Sequence, residues 1–242
     1  MTIPDVGSSD MGNGSNSFKS EGNFASSPCM ATEVDSGCFD PLGVDPVQAR
    51  DVARWRRAER QRLREARRTL SSPQRTQTSV ALMTGLERLL AELPAEAGDG
   101  VVAFYWPIKD EPDLRPLMVE MQASGRSIAL PLVETRAAPL VFRLWTPETR
   151  MERGHWNIPV PPRDAPEVMP DIVLAPLMGW DSEGYRLGYG GGYFDRTLAV
   201  LTPRPFSIGV GLAAAKLPTI YPQPHDIPMD VILTERGIEV GG

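Results

Sequence analysis

The sequence has few of the residues that mark the commonest catalytic and metal sites. Its 242 residues include two cysteines, Cys29 and Cys38, and two histidines. Both cysteines lie in a Ser/Gly/Asn-rich segment, with neither a Cys-x-x-Cys spacing nor histidine neighbours, so neither a zinc site nor a disulfide framework is predicted. No Ser/His/Asp or Cys/His set is evident, so the sequence does not predict a nucleophilic side chain.

Long apolar runs and a basic excess are also missing. No apolar run approaches the roughly 20 residues that span a bilayer, and the N-terminus lacks a basic region followed by an apolar one. The net charge is -6, but residues 1–48 hold seven acids against Lys19, which leaves 24 residues of each sign in the body. Such a body predicts neither a nucleic-acid partner nor a membrane partner. We expect a cytoplasmic protein.

Composition divides the chain near residue 48. Residues 1–48 contain GSSDMGNGSNS and little apolar periodicity, so they are predicted to be a disordered extension. Residues 49–242 are predicted to form a single domain. We expect this domain to be monomeric.

The domain is predicted to begin with two helices. The segment 46–70 is crowded with arginine and good helix formers, and either a solvated surface helix with few core positions or an anion-binding helix fits it. Ser72 is predicted as the N-cap of a second helix, with Pro73 at its first position. One face of that helix carries Leu82, Leu86, Leu89 and Leu93.

Beyond the second helix, short apolar runs alternate with helical or looped segments. The predicted strands are 101–108, 127–133, 171–177 and 206–212. A helix between the first two carries Leu114, Leu117, Met118 and Met121, and Gly125 ends it. This alternation predicts an α/β fold with a mainly parallel sheet, in which ligands bind beyond the carboxyl ends of the strands.

The segment YRLGYGGGYFDRTL (185–198) links a predicted strand to the start of a helix. Glycines let backbone N–H groups approach an anion, and a helix N-terminus adds partial positive charge, so phosphate is the expected guest. A glycine turn that serves only close packing is the alternative. The segment is neither a dinucleotide fingerprint, because Tyr193 occupies the position of the third glycine, nor a Walker A loop.

Charged residues follow the glycines at once. Asp195 falls in the first turn of the predicted helix, where a carboxylate is either a dipole partner or a Mg²⁺ ligand that shares the metal with phosphate oxygens. Arg186 and Arg196 either neutralise the charge of a transferred phosphoryl group or form surface ion pairs.

The glycine segment resembles the signature of the 5-formyltetrahydrofolate cyclo-ligase family, also called methenyltetrahydrofolate synthetases. Six further segments follow the order of that family, and the resemblance runs from about Arg56 to the C-terminus: RLREARRTLSS (62–72), DEPD (110–113), GRSIALPLV (125–133), HWNIPVP (155–161), DIVLAPLMGWD (171–181) and HDIPMDVILTE (225–235). It implies a Rossmann-like three-layer sandwich of the NagB/RpiA/CoA-transferase-like type. It also implies the ATP-driven conversion of 5-formyltetrahydrofolate to 5,10-methenyltetrahydrofolate, with release of ADP and phosphate.

The resemblance assigns roles to individual residues. The ATP contacts are Arg56, Arg60, Arg186, Leu187, Gly188, Tyr189, Gly190, Gly191, Gly192, Tyr193 and Phe194. Arg186 and Tyr193 are the implied catalytic residues. The implied folate contacts are Trp106, Glu111, Trp156 and Tyr193, and the implied Mg²⁺ ligands are Asp195 and Asp230.

Three features depart from the family pattern. Where many members carry a lysine four residues before an arginine in the first helix, this sequence has Arg56 and Arg60. Phe194 replaces a usual tyrosine, and Trp180 stands before Asp181 where phenylalanine is common. Phe194 and Trp180 leave open a paralogue that acts on another small molecule. A second alternative is a non-catalytic nucleotide- or folate-binding protein, against which the Asp195 and Asp230 pair argues.

Overall fold

A computed structural model describes residues 46–93 and 100–241. The predicted disordered extension therefore lies outside the described residues, apart from residues 46–48. These three residues already belong to the first helix, which begins at Pro46.

Four α-helices and eleven strands alternate along the described residues. The helices are α1 (Pro46–Arg68), α2 (Ser72–Glu92), α3 (Arg115–Ala123) and α4 (Tyr193–Val200). The strands are β1 (Val102–Ala103), β2 (Ile128–Leu132), β3 (Val141–Trp145), β4 (Glu152–Arg153), β5 (Pro159–Val160), β6 (Ile172–Pro176), β7 (Gly179–Trp180), β8 (Arg186–Leu187), β9 (Phe206–Val210), β10 (Val231–Thr234) and β11 (Gly237–Val240). Short 3₁₀ helices span His155–Asn157 and Ala213–Ala215.

Seven strands form one sheet in the order β11-β10-β9-β6-β1-β2-β3. The five inner strands are mutually parallel, and the edge strands β11 and β3 are antiparallel to their neighbours. Two antiparallel hairpins, β4-β5 and β7-β8, lie outside this sheet. The predicted α/β class with a mainly parallel sheet is confirmed.

Three of the four predicted strands closely match β2, β6 and β9. The run 101–108 is a strand only at Val102–Ala103. Phe104 N still donates to Ala129 O at 3.0 Å. Pro107, which has no N–H to donate, follows three residues later, and the chain has left the ladder. The sequence reasoning did not assign β3, β10 or β11.

The helices cover both faces of the sheet because buried strand residues alternate in direction. On one face α2 and α3 pack against β6 and its neighbours, in a cluster that includes Leu82, Leu86, Leu117, Met118, Ile172 and Leu174. On the other face α4 packs against Val173 and Ala175 through Phe194 and Leu198. Full burial of a side chain such as Leu82 contributes roughly 2 kcal/mol.

The cap of α2 differs from the prediction by one residue. Ser71, rather than Ser72, is the N-cap, and its hydroxyl accepts from Gln74 N. Gln74 Oε1 accepts in return from Ser71 N at 2.8 Å, which completes a capping box. None of the described helices is both long enough and apolar enough to cross a membrane.

Candidate active site

The glycine segment lies where β6, the β7-β8 hairpin and α4 meet. Asp181 is buried and fixes the hairpin turn, since its Oδ1 accepts from Glu183 N and Tyr185 N, each at 3.1 Å. Its Oδ2 accepts from Ile220 N at 2.9 Å and so ties the hairpin to a distant loop. The loop 188–192 follows β8 and leads directly into α4, as predicted.

Close approach of an arginine side chain explains Gly188, and backbone conformation explains Gly190. A Cβ on Gly188 would lie 2.6 Å from Arg186 Nη1, so any side chain there would displace the guanidinium. Gly190 has a φ of +103°, which L-residues rarely adopt, and its Cβ would lie 3.5 Å from Arg60 Cζ. The glycines therefore leave room for positive charge beside the backbone of the loop.

Arg186 in β8 and Asp195 in α4 form a buried ion pair across this loop. Arg186 Nη2 lies 2.8 Å from Asp195 Oδ2, and Asp195 Oδ1 accepts from Ile227 N at 3.3 Å. Among the described residues, Arg186 Nε has no hydrogen-bond partner although it is buried. A buried guanidinium with an unused donor suits an anionic ligand, because burial of a polar group is costly until it is hydrogen-bonded.

The ring of Phe194 faces the same guanidinium, 5.4 Å from Arg186 Cζ. The ring also packs against the two clusters on this face of the sheet. Trp180 is fully buried, and its Nε1 donates to Leu212 O at 3.0 Å. Trp180 is therefore a core residue with its hydrogen bond satisfied, whereas Phe194 is partly buried and lies between the core and Arg186.

Helix α1 has few apolar core positions, as predicted, but it also buries three arginines, which a solvated surface helix would expose. Its buried residues are Val52, Arg56, Arg60, Leu63 and Arg67. Arg60 Nε donates to Gly188 O at 2.7 Å, and Arg67 Nη2 donates to Leu177 O at 2.7 Å. Guanidinium groups replace apolar side chains here because the loops opposite them present carbonyl and carboxylate oxygens.

Arg56 contacts a different segment from Arg60. It donates from Nε to Ile220 O and from Nη2 to Tyr221 O, both at 2.9 Å, and it forms an ion pair with Asp226. Its partners are therefore in the segment 220–226, not in the glycine loop. The assignment of Arg56 to ATP stays a prediction.

Aromatic rings border the loop on the side of α4. Tyr193 is buried, and its hydroxyl accepts from Ala137 N at 3.4 Å. Trp156 packs edge-to-face on Tyr193, with 5.5 Å between ring centroids, although 59% of Trp156 is exposed. Trp156 has a φ of +54°, so the turn around it presents the indole at the surface. Trp106 instead packs against the core, with Arg115 Cζ 5.2 Å from its ring.

Glu111 is a buried carboxyl beyond the end of β1. Its Oε2 accepts from Ile108 N at 2.7 Å, and its Oε1 accepts no hydrogen bond from any described residue. Burial raises the pKa of Glu111 from its ordinary value of 4.5 to about 7, and the Ile108 N–H, the Tyr189 hydroxyl, Arg67 and Lys109 oppose this rise. At neutral pH the carboxyl is therefore divided between its acid and ionised forms.

The two predicted metal carboxylates have separate contacts. Asp230 precedes β10, where its Oδ2 accepts from Ser207 N at 2.8 Å and from Ser207 Oγ at 2.6 Å. Arg204 Nη2 lies 3.2 Å from its Oδ1. These contacts lie at the amino ends of β9 and β10, whereas Asp195 lies in the first turn of α4, after the glycine loop. Asp230 as a second ligand stays a prediction.

Three functional candidates were missed by sequence reasoning: Arg67, Asp181 and Asp226. Arg56, Arg60, Leu63 and Arg67 follow one another at helical spacings of four, three and four residues, which is the signal of a single buried face. That signal is lost when arginine is counted only as a surface residue. The two aspartates carry no comparable pattern.

The fold and the loop together define an α/β protein whose mainly parallel sheet supports a glycine loop with buried guanidinium groups around it. Residues 52–235 match the model of the 5-formyltetrahydrofolate cyclo-ligase family, and the chain belongs to that family.

Individual relatives agree with the family match. The chain is 29% identical over 141 residues to the 5-formyltetrahydrofolate cyclo-ligase of Escherichia coli K12, which covers 56% of this chain and 75% of the relative. It is 28% identical over 184 residues to the enzyme of that name from Haemophilus influenzae, which covers 72% and 94%. The solved 5,10-methenyltetrahydrofolate synthetase of Aquifex aeolicus is similar, with a TM-score of 0.65, 29% identity and coverage of 76% of this chain and 91% of that chain.

Proposed function

We propose that this protein catalyses the ATP-dependent conversion of 5-formyltetrahydrofolate to 5,10-methenyltetrahydrofolate, with release of ADP and phosphate. The observation that carries the proposal is the buried Arg186, which adjoins the glycine loop with an unused Nε donor. Membership of the family supports the reaction, and the glycine loop is the proposed binding site for the phosphates of ATP.

The chemistry asks for positioning and charge neutralisation rather than for a nucleophilic side chain. The formyl oxygen takes the phosphoryl group of ATP, a neighbouring folate nitrogen attacks the formyl carbon, and the C–O bond breaks as phosphate leaves. Charge on the transferred phosphoryl group requires cationic partners held in place. Arg186 and Arg60 are the proposed partners, because both guanidinium groups lie against the glycine loop.

Tyr193 and Trp156 are the proposed contacts on the folate side. Tyr193 belongs to the first turn of α4, directly after the glycines, and its ring packs against the exposed Trp156. An exposed indole beside a phosphate loop offers a flat surface for an aromatic heterocycle. Glu111 offers an unpaired carboxyl oxygen for hydrogen bonding, whereas the core contacts of Trp106 give it no comparable support.

Asp195 is the proposed carboxylate for Mg²⁺. It already holds a cationic group, Arg186, at the start of α4, and Mg²⁺ is commonly bound by one or two carboxylates together with phosphate oxygens. When bound, the metal would supply charge neutralisation on the phosphates. Asp226 directly precedes Ile227, whose backbone N–H donates to Asp195. In sequence, Asp226 is therefore closer than Asp230 to the residue that contacts Asp195.

The finer expectations remain proposals alongside the reaction. They are the NagB/RpiA/CoA-transferase-like type of the fold, a monomeric state and a cytoplasmic location. The paralogue hypothesis draws no support from Trp180, since that side chain is fully buried in the core.

The test is turnover of the purified protein with 5-formyltetrahydrofolate and MgATP, followed by the near-ultraviolet absorbance of the methenyl product. We expect product in step with ADP release. Asp195→Asn should lower turnover by at least about a hundredfold, as loss of one transition-state charge contact does, while Asp164→Asn in an exposed turn should not. Folded protein at high concentration that gives no methenyl product would refute the proposal, and ATP hydrolysis without it would favour a paralogue.

A further inference from the structure

The β2–β3 loop, residues 133–140, packs against α4 beyond the carboxyl end of β2. Two of its backbone N–H groups bind side chains of that helix. Ala137 N donates to the Tyr193 hydroxyl at 3.4 Å, and Leu140 N donates to Thr197 Oγ1 at 2.8 Å. Tyr193 and Thr197 lie one helical turn apart on the same face of α4. The β2–β3 loop is therefore attached to the helix directly after the glycine loop.

Thr197 connects the β2–β3 loop to the backbone of Tyr193. Its side chain is fully buried. Its hydroxyl donates to Tyr193 O at 2.7 Å and accepts from Leu140 N, so it acts as donor and acceptor at once. A threonine that bonds the carbonyl four residues earlier slightly destabilises a helix, so that bond alone does not explain the hydroxyl. The contact with Leu140 N does, because a buried N–H without an acceptor is costly.

The β2–β3 loop is anchored at its start and strained in its middle. Glu134 forms an ion pair with Arg143 of β3, which is 6% exposed and whose Nη1 also donates to Pro162 O at 3.1 Å. Ala137 has a φ of +58°, in the left-handed region that residues with a side chain adopt at a cost in energy. Such strain persists only where surrounding contacts impose it. This conformation directs the Ala137 N–H at the Tyr193 hydroxyl.

The ring of Tyr193 is held by three other groups. A Cβ on Gly191 would lie 2.8 Å from Tyr193 Cδ2 and Cε2, so the ring packs directly on this glycine. Arg196 Cζ lies 5.0 Å from the ring centroid, and Trp156 packs edge-to-face on the ring. A phenol hydroxyl that accepts an N–H keeps its own proton to donate. The contact with Ala137 N therefore leaves the O–H of Tyr193 for a ligand.

We propose that Thr197 is a positioning residue: it holds the β2–β3 loop on α4 so that Ala137 N fixes the Tyr193 hydroxyl for donation to a carbonyl oxygen of the folate. This inference rests on the proposed function, in which Tyr193 contacts the folate. Thr197 is fully buried, and its hydroxyl is bound to Tyr193 O and Leu140 N, so it does not contact the ligand itself. Its effect on the substrate passes through the loop and Tyr193.

A double-mutant cycle on folate binding tests this coupling. The dissociation constant of 5-formyltetrahydrofolate is measured for the wild type, Thr197→Val, Tyr193→Phe and the double variant. Loss of one hydrogen bond should weaken binding by about tenfold in Tyr193→Phe and by about threefold or more in Thr197→Val. The double variant should bind as Tyr193→Phe does, because Thr197 acts only through that hydroxyl. Wild-type affinity in either single variant, or an equal Thr197→Val loss in both backgrounds, would overturn the inference.

Two matched variants separate the hydroxyl of Thr197 from its place in a helix. Thr197→Ser keeps the hydroxyl and should bind folate as the wild type does, and a loss equal to that of Thr197→Val would count against the inference. Thr76 Oγ1 also donates to the carbonyl four residues earlier, Ser72 O at 3.2 Å, but at an exposed position of α2. Thr76→Val should therefore leave folate binding unchanged. Circular dichroism first checks that each variant is folded.

Hydrogen exchange followed by NMR gives a readout without turnover. In the free protein, Thr197→Val should speed exchange of the Leu140 amide at least about tenfold, since this N–H loses its acceptor, and leave that of Ile232 in β10 unchanged. In the wild type, bound folate should slow exchange of the Ala137 amide, and an unchanged rate would overturn the inference even if Thr197→Val does not fold. Folded wild-type protein that binds no folate would overturn the proposed function and the ligand contact, whereas Leu140 exchange alone decides whether Thr197 holds the loop.

Discussion

Replacement of Arg56 by methionine tests whether this residue stabilises the fold or contacts the nucleotide. Arg56 is 3% exposed, and its ion-pair partner Asp226 is 9% exposed. The substitution would leave Asp226 as a buried, uncompensated charge and free the Ile220 and Tyr221 carbonyls. Breaking a buried pair in this way costs about 3–5 kcal/mol. In a domain of this length, where each kcal/mol changes Tm by about 2–4 °C, we expect a fall of about 10 °C.

The assay is thermal and urea unfolding in the absence of nucleotide. Arg57→Met, at an exposed position next to Arg56 on α1, is the matched control and should leave Tm within a degree or two. The double variant Arg56→Met/Asp226→Asn should recover part of the loss, because neither charge is then left alone. An Arg56→Met protein with wild-type Tm and a raised KM for ATP would refute the reasoning and return Arg56 to the nucleotide site.

Three further changes test the loop and its surroundings. Gly190→Ala should weaken ATP binding at least about tenfold, because Gly190 has a φ of +103° and its Cβ would adjoin Arg60. Gly125→Ala is the control: Gly125 has a φ of +94° but no neighbouring atoms, so this variant should lose only about 1 kcal/mol of stability. Glu111 has a pKa of about 7 in the folded protein against an ordinary 4.5, so the free energy of unfolding falls as pH rises from about 4.5 to 7. In urea unfolding at pH 8, Glu111→Gln should therefore be more stable than the wild type by about 3 kcal/mol. Equal stability of the two proteins at pH 8 would contradict the burial argument. Trp156→Ala should change stability by less than about 0.5 kcal/mol, since the residue is 59% exposed, but should raise KM for folate; an unchanged KM would remove it from the site.

The glycine loop and its helix could be predicted because their signals are local. Glycine density, a strand before it and an apolar helical face after it all lie within about thirty residues, and the structure gives β6, the loop and α4 in that order. The mainly parallel sheet followed from apolar runs separated by helices. The early end of β1 could also be understood locally, since Pro107 cannot donate to a ladder.

The arrangement of α1 could not be predicted in the same way. Arginine favours solvent in most helices, and the oxygens that satisfy these side chains belong to segments far along the chain. Arg56, for example, pairs with Asp226, and Arg67 with Leu177. The sequence near residue 60 does not indicate that a carbonyl near residue 180 accepts its hydrogen bond. Only the three-dimensional structure therefore identifies Arg67 as a neighbour of Glu111 through Tyr189.

The same contacts constrain the order in which the chain can complete its fold during synthesis. The hydrogen bonds of Arg67, Arg60 and Arg56 span 110, 128 and 164 residues respectively. Helix α1 is synthesised well before the segment 220–226 that holds the partners of Arg56, and contacts of such long range form late. A chain stopped before residue 220 would carry Arg56 without its acceptors, which are Ile220 O, Tyr221 O and the Asp226 carboxylate. Such a truncation should therefore destabilise α1 as well as remove β10 and β11.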